Sequence, residues 1–230
     1  MEYSKKLTSE ELERIDRAQI EMHDWSRGIL PEGEEVEFLG EKFIVYPNVF
    51  WLLSASPLIK GFTVKPSDSV LDVGTGTGLI AIFAAKKGAG RVLAIDINPA
   101  AVRNAQLNAK LHSLEEIIEV RESDLWEKVG EERFDVITAN LPFREKTARD
   151  MLEISTWDSD FQVHKRFFGG VIQHLKPQGR IYLSQANFGE LEKVEDLAKE
   201  YDLTMTLIAE EKCINDPRVF YVFELKSKHI

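Results

Sequence analysis

Residues 70–78 read VLDVGTGTG, and an acid, Asp96, ends the apolar run that comes next, VLAI at 92–95. Gly74, Gly76 and Gly78 alternate with Thr75 and Thr77 directly after a short apolar strand, and the helical pattern LIAIFAA follows at once. Glycine tolerates the positive φ of so sharp a turn and leaves the backbone open for a ligand to lie against it. An acid at the tip of the following strand, roughly 20 residues on, is where an α/β nucleotide site puts its acceptor for ribose hydroxyls. The pairing predicts a nucleoside-binding crevice.

The spacing also says which nucleoside it is not. The dinucleotide fingerprint is G-x-G-x-x-G, whereas here Leu79 stands where its third glycine would be. Asp72, two residues before the loop, sets a negative charge where a pyrophosphate would be repelled and a cationic amino-acid end attracted.

The same residues carry a family resemblance. VLDVGTGTG resembles motif I of the class I S-adenosylmethionine-dependent methyltransferases. LAIDINPAAV at 93–102 resembles the motif that follows it, with Asp96 in the place of the ribose-binding acid. Ser123-Asp124-Leu125-Trp126 resembles the next motif, and DVITANLPF at 135–143 resembles the fourth motif of the amino-methylating members, usually Asn/Asp-Pro-Pro-Tyr/Phe. The likeness runs in family order over residues 38–225. It implies S-adenosyl-L-methionine as cofactor and a Rossmann-like, doubly wound α/β fold with a mostly parallel seven-stranded sheet and a C-terminal antiparallel hairpin. Asp72, Gly74, Thr75, Gly76 and Gly78 would form the loop against the cofactor, and Asp96 would take both ribose hydroxyls beside Asn98. Ile97 and Leu125 would sandwich the adenine, Asp124 would accept from its amino group, and Asn140 would border the same site.

The elements agree with that fold. Thr8 with Glu11 forms a capping box ahead of a helix whose partial apolar face is Leu12, Ile15, Ala18, Ile20 and Met22, ending by Gly28. Val36-x-Phe38 and Phe43-x-Val45 around Gly40-Glu41 read as a β-hairpin, closed by Pro47. Residues 49–62 read as a helix carrying Phe50, Trp51, Leu52, Leu53 and Leu58. Strands are expected at 70–73, 92–96, 118–122, 134–139 and 180–184, alternating with helices at 79–87, 99–111, 161–175 and 190–201. Such alternation implies right-handed crossovers and a parallel sheet covered on both faces. Asn98 and Pro99 suit an N-cap and first helical position, and Pro177-Gln178-Gly179 a turn before the fifth strand. Strands at 205–209 and 219–225 have no helix between them, so they pair antiparallel. The organisation is an extension of helix and hairpin, residues 1–48, and a cofactor-binding domain, residues 49–230.

Catalysis is expected at Asn140, Leu141, Pro142 and Phe143, which leave the fourth parallel strand on the ligand edge of the sheet. An amide or ring-amino nitrogen is a poor nucleophile because its lone pair is delocalised. The Asn140 side-chain oxygen and the Leu141 carbonyl could accept both N–H bonds and turn that lone pair toward a methyl donor. Pro142 would stiffen the loop, and Phe143 would stack on a planar acceptor. Trp126 suits either the core or a lid over the adenine, and the polar stretch 155–160 could cover the acceptor. His23, His112, His164, His174 and His229 show no metal or triad spacing and read as surface or core residues.

Composition bounds the acceptor. Net charge is −10, whereas nucleic-acid binders usually present a basic field. Arg144, Lys146, Arg149, Lys165 and Arg166 form a local basic cluster, read as a solvated loop face. Cys213 is the only cysteine, which excludes an internal disulfide. No apolar run approaches the ~18 residues of a membrane span, and the opening MEYSKKLTSEELERI lacks a signal-type stretch, so no membrane partner and a cytoplasmic location are expected. The hairpin EFLGEKFIVYPNVF resembles that of HemK-like glutamine methyltransferases. The Arg-Pro-acid signature of that family is absent, with Ser54-Ala55-Ser56-Pro57 in its place. Leu141 replaces the first proline of the fourth motif. The reading is an N-methyltransferase acting on a protein or RNA acceptor, a protein glutamine first. A base-methylating rRNA or tRNA enzyme, a small-molecule methyltransferase and a non-catalytic cofactor-binding scaffold stand as alternatives.

Overall fold

The computed structural model describes residues 7–51 and 57–228. Leu52, Leu53, Ser54, Ala55, Ser56 and His229 lie outside them. Helix α1 (Ser9–Gly28) starts at the expected box: Thr8 accepts from the Glu11 N–H, and the Glu11 carboxylate accepts from the Thr8 N–H. Strands β1 (Glu34–Phe38) and β2 (Glu41–Val45) pair as the expected hairpin. Next come α2 (Pro57–Gly61), β3 (Ser69–Val73), α3 (Leu79–Lys86), β4 (Arg91–Asp96), α4 (Pro99–Leu111) and β5 (Ile118–Glu122). The chain ends with β6 (Phe134–Ala139), α5 (Gln162–Val171), β7 (Leu175–Ala186), α6 (Leu191–Glu200), β8 (Leu203–Lys212) and β9 (Val219–Ser227).

The main sheet has seven strands in the order β5-β4-β3-β6-β7-β9-β8. Strands β3 to β7 pair in parallel, and β9 lies antiparallel between β7 and β8. The chain adds β4 and β5 on one side of β3, then crosses to add β6 on the other. That reversal opens a crevice at the carboxyl ends of β3, β4 and β6. Leu71, Leu93 and Ile137 face a core shared with Phe167 and Phe168 of α5, while Val70, Val92 and Val136 face one shared with α3 and the hairpin's Phe43 and Val45. Among the described residues, no helix is long and apolar enough to cross a membrane.

The hairpin is clamped onto α4 by two buried asparagines one turn apart. Asn104 accepts from the Tyr46 N–H and donates to the Ile44 carbonyl, both within 2.8 Å. Asn108 accepts from the Ile44 N–H and donates to the carbonyls of Ile44 and Thr77. Each bond contributes about 1 kcal/mol net, and the last ties hairpin, α4 and glycine loop together.

Four expectations change. Residues 49–51 are not helical, and among the described residues of this stretch the helix is α2. The α5 helix stops at Val171, a short 3₁₀ turn follows, and Leu175 already pairs with Phe134. The turn at residues 177–179 is a bulge inside β7, where Gln178 takes φ 60° and five residues span the two-residue step from Phe134 to Val136. Finally, Ile15 of α1 is buried but Ile20 is exposed, and the buried stripe runs on through His23 and Ser26.

Candidate active site

The glycine loop is folded back onto β4. Gly74 and Thr75 both donate their N–H to the Ile95 carbonyl, and Gly76 donates to Asp96 Oδ2 at 2.9 Å. With those amides turned inward, the loop offers no nest of free donors to a pyrophosphate. All three glycines hold positive φ. A side chain at Gly74 would meet nothing within 4 Å, so the loop is open there. At Gly78 it would meet Cα and Cβ of Ala105 at 3.1 Å. Gly78 therefore serves the close approach of α3 to α4 and does not line the cleft.

Asp96 sits half-buried at the tip of β4. Its Oδ2 accepts from Gly76 and its Oδ1 from the Asn98 N–H at 2.8 Å, leaving lone pairs on both oxygens. Burial raises its pKa, opposed by backbone hydrogen bonds from Asn98, Gly76 and Ile97. Asn98 caps α4 through the Ala100 N–H and donates to the Asn48 carbonyl.

Asp72 is placed differently from its expected position against a ligand. It is fully buried behind the loop, where Thr75 and Thr138 donate hydroxyls to it at 2.7 and 2.8 Å. Burial, reinforced by the like charge of Asp96, pushes its pKa to about 6 against those hydrogen bonds. The folded pKa is raised, so Asp72 binds more protons in the folded than in the unfolded chain between about pH 4 and 6. Its ionisation therefore costs stability as pH rises through that window, about 3 kcal/mol once complete. Asp72→Asn should gain on the wild type by about 2 kcal/mol between pH 4.5 and 7.5 in urea unfolding. A gap independent of pH would mean that Asp72 titrates as an ordinary carboxyl.

A cleft of about 370 Å³ lies over these groups, within the usual range for a small-molecule site. It is lined by Gly74, Thr75, Gly76, Asp96, Ile97, Asn98, Asp124, Leu125, Asn140, Leu141 and Pro142, all expected from the sequence. Asp124 is ion-paired to Arg166 of α5 at 2.9 Å. Among the described residues the half-buried Asn140 side-chain amide has no hydrogen-bond partner, so both its polar ends are open to a ligand. Phe50, expected toward a core or the ligand, and Trp157 and Asp158 of the stretch expected to cover the acceptor also line the cleft, together with Met151 and Ile154, for which the sequence carried no signal.

Phe143 does not line the cleft. Its ring packs against Phe188 and Phe220, with centroids 5.7 and 6.1 Å away, because those rings and Ile15 form a third apolar cluster beneath the loop. It cannot serve there as a stacking platform for an acceptor. Trp126 also turns away: it stacks on His174 at 4.8 Å and donates its indole N–H to the Arg166 carbonyl, so it is a packing residue and no lid.

Residues 53–213 match the methyltransferase small domain family. A Methanocaldococcus jannaschii protein, provisionally named a protein N5-glutamine methyltransferase, is 35% identical over 171 residues, 70% of this chain and 85% of that one. The ribosomal protein L11 methyltransferase of Anoxybacillus flavithermus is 46% identical over 79 residues, 34% of this chain. The chain spans 25% of that relative's length. Among solved structures, the ribosomal protein L11 methylase of Lactobacillus delbrueckii subsp. bulgaricus superposes with a TM-score of 0.57 at 26% identity, over 75% of each chain. The chain belongs to the methyltransferase small domain family, among the class I S-adenosylmethionine-dependent methyltransferases.

Proposed function

We propose that this protein is a HemK-like N-methyltransferase that methylates the side-chain amide nitrogen of a protein glutamine. The observation that carries the reading is the unpaired amide of Asn140 on the cleft wall beside Leu141 and Pro142. The residues present suit S-adenosylmethionine: inward-turned loop amides, a ribose-height carboxylate with lone pairs to spare, and apolar Ile97 and Leu125 on the cleft wall. Bound there, the cofactor supplies an electrophilic methyl group on a sulfonium. Asp96 would accept from the ribose hydroxyls and Asp124 from the adenine amino group. Asn140 Oδ1 and the Leu141 carbonyl would accept the two N–H bonds of the acceptor amide and direct its lone pair along the transfer axis. Positioning of this kind supplies most of the acceleration in an in-line displacement.

Two observations favour an amide over a nucleobase. Four of the five cations of the basic cluster are ion-paired within the chain: Arg144 and Lys146 share Asp16, Arg149 pairs with Glu153 and Arg166 with Asp124. Few cations remain there to grip phosphates. Phe143, expected to stack on a planar acceptor, is engaged by Phe188 and Phe220, and a nucleobase, with its larger flat face, would lose more by this than an amide. The M. jannaschii relative's name points the same way. The test is incubation with methyl-tritiated S-adenosylmethionine and separated protein and RNA fractions of a cell extract. N5-methylglutamine in an enzymatic digest of the protein fraction is the expected label, and label confined to nucleosides would overturn the reading.

A further inference from the structure

Between Phe143 and α5 the chain makes a long excursion that builds part of the wall of the cleft that Asn140 also lines. Its two ends are fastened to the body of the domain. Arg144 donates to the Phe188 carbonyl, Glu145 pairs with Lys193, and Asp158 accepts from the backbone N–H groups of Val163 and His164 and pairs with the His164 ring. The middle is different. Apart from bonds within the excursion, every hydrogen bond and ion pair of residues 149–157 among the described residues goes to α1.

The α1 side chains involved, with Asp16, are spaced three and four residues apart: Asp16, Gln19, His23 and Arg27. That spacing makes one stripe along one helix face. Asp16 holds Arg144 and Lys146, each at 3.1 Å. Gln19 accepts the Trp157 indole N–H at 3.0 Å, and Lys146 lies over that indole at 4.6 Å. His23, buried, bonds the buried Thr156 hydroxyl at 2.9 Å and meets the Trp157 ring edge-on. Arg27 reaches Asp150 at 2.9 Å and Glu153 at 3.5 Å. Burial would raise the Asp16 carboxyl, but Arg144 and Lys146 outweigh it and hold the group below its ordinary range, ionised. Trp157 in turn is drawn beside the exit from Asn140, since Arg144 N–H donates to the Thr156 carbonyl and Asp158 N–H to the Arg144 carbonyl.

We propose that α1 is the strut of the acceptor side of the cleft, with Gln19 and His23 as positioning residues that hold Trp157, Ile154 and Met151 on the wall of the cleft that Asn140 also lines. The inference rests on reading this side as the acceptor side. Neither residue lines the cleft, so their effect on a substrate passes through the excursion.

The test compares wild type, the double variant Gln19→Ala/His23→Ala, and His23→Gln, which keeps a polar group for Thr156. Backbone hydrogen exchange at residues 149–157 should quicken at least ~10-fold in the double variant, with β3 and β4 unchanged. Affinity for S-adenosylhomocysteine by calorimetry should stay within about twofold, and His23→Gln should exchange nearly as slowly as wild type. Methyl transfer into the labelled protein fraction should need more acceptor for half-saturation, with the maximal rate less affected. Unchanged exchange at 149–157, or exchange that quickens equally throughout the sheet, overturns the strut. If wild-type enzyme labels no protein at all, the glutamine reading fails, and the exchange and calorimetry data still decide the strut.

Discussion

Asn140→Ala is expected to lower turnover by about 10²–10³-fold while affinity for S-adenosylhomocysteine stays within about threefold. The expectation rests on two features of the residue. Its side chain has no partner among the described residues, so truncation breaks no hydrogen bond within the fold and leaves no buried group unsatisfied. It also lies on the cleft wall directly before Leu141, whose carbonyl is the second acceptor of the proposed clamp. What is lost is the orientation of a poor nucleophile, an effect present in the transition state and nearly absent from cofactor binding. Asn140→Asp keeps an oxygen acceptor and should recover part of the rate. Single-turnover transfer and calorimetry on the same preparations make the check. Full turnover in Asn140→Ala would end the clamp, and a matching loss of cofactor affinity would make Asn140 a binding residue.

What the sequence reveals here is what lies close together along the chain. The glycine loop, Asp96 and the Asn98 cap are local signals, and each is found where the spacing puts it. Strands β5 and β6 and helix α4 match their expected bounds, α4 starting at its Asn98 cap and Pro99. Misreadings arise where a distant partner decides. Phe143 follows a proline like a platform residue, yet Phe188, Phe220 and Ile15, all far along the chain, claim its ring. The working face of α1 is polar, and its partners lie more than 120 residues away, so a search for apolar periodicity finds Leu12 and Ile15 but not this stripe, and misplaces Ile20. Gln178 breaks the strand pattern like a turn, but a single left-handed residue lets β7 bulge and resume its register. Asn104 and Asn108 look like solvated helix residues until β2 arrives to use both amides.

Asp96→Ala should weaken S-adenosylhomocysteine binding at least ~30-fold, because charge-assisted hydrogen bonds contribute about 1.5–3 kcal/mol each and two ribose hydroxyls lose their acceptor. The geometry adds a second cost. The carboxylate also receives the N–H groups of Gly76 and Asn98, one on each oxygen, and so pins the glycine loop against the α4 cap. Asp96→Asn is accordingly no conservative change. One oxygen becomes an NH₂ donor facing a backbone N–H, so one of the two clamps turns repulsive whichever way the amide is flipped. Asparagine should therefore lose about as much affinity as alanine, where a purely ribose-binding role would let it keep a good part. The control is Asp72, whose carboxylate stays behind the loop on Thr75 and Thr138. Asp72→Asn should shift stability with pH and leave the ribose contacts intact. Calorimetric titration of the three variants separates the two acids: affinity in Asp96→Ala within threefold of wild type would remove Asp96 from the cofactor site, and near-wild-type affinity in Asp96→Asn would confine its role to the ribose.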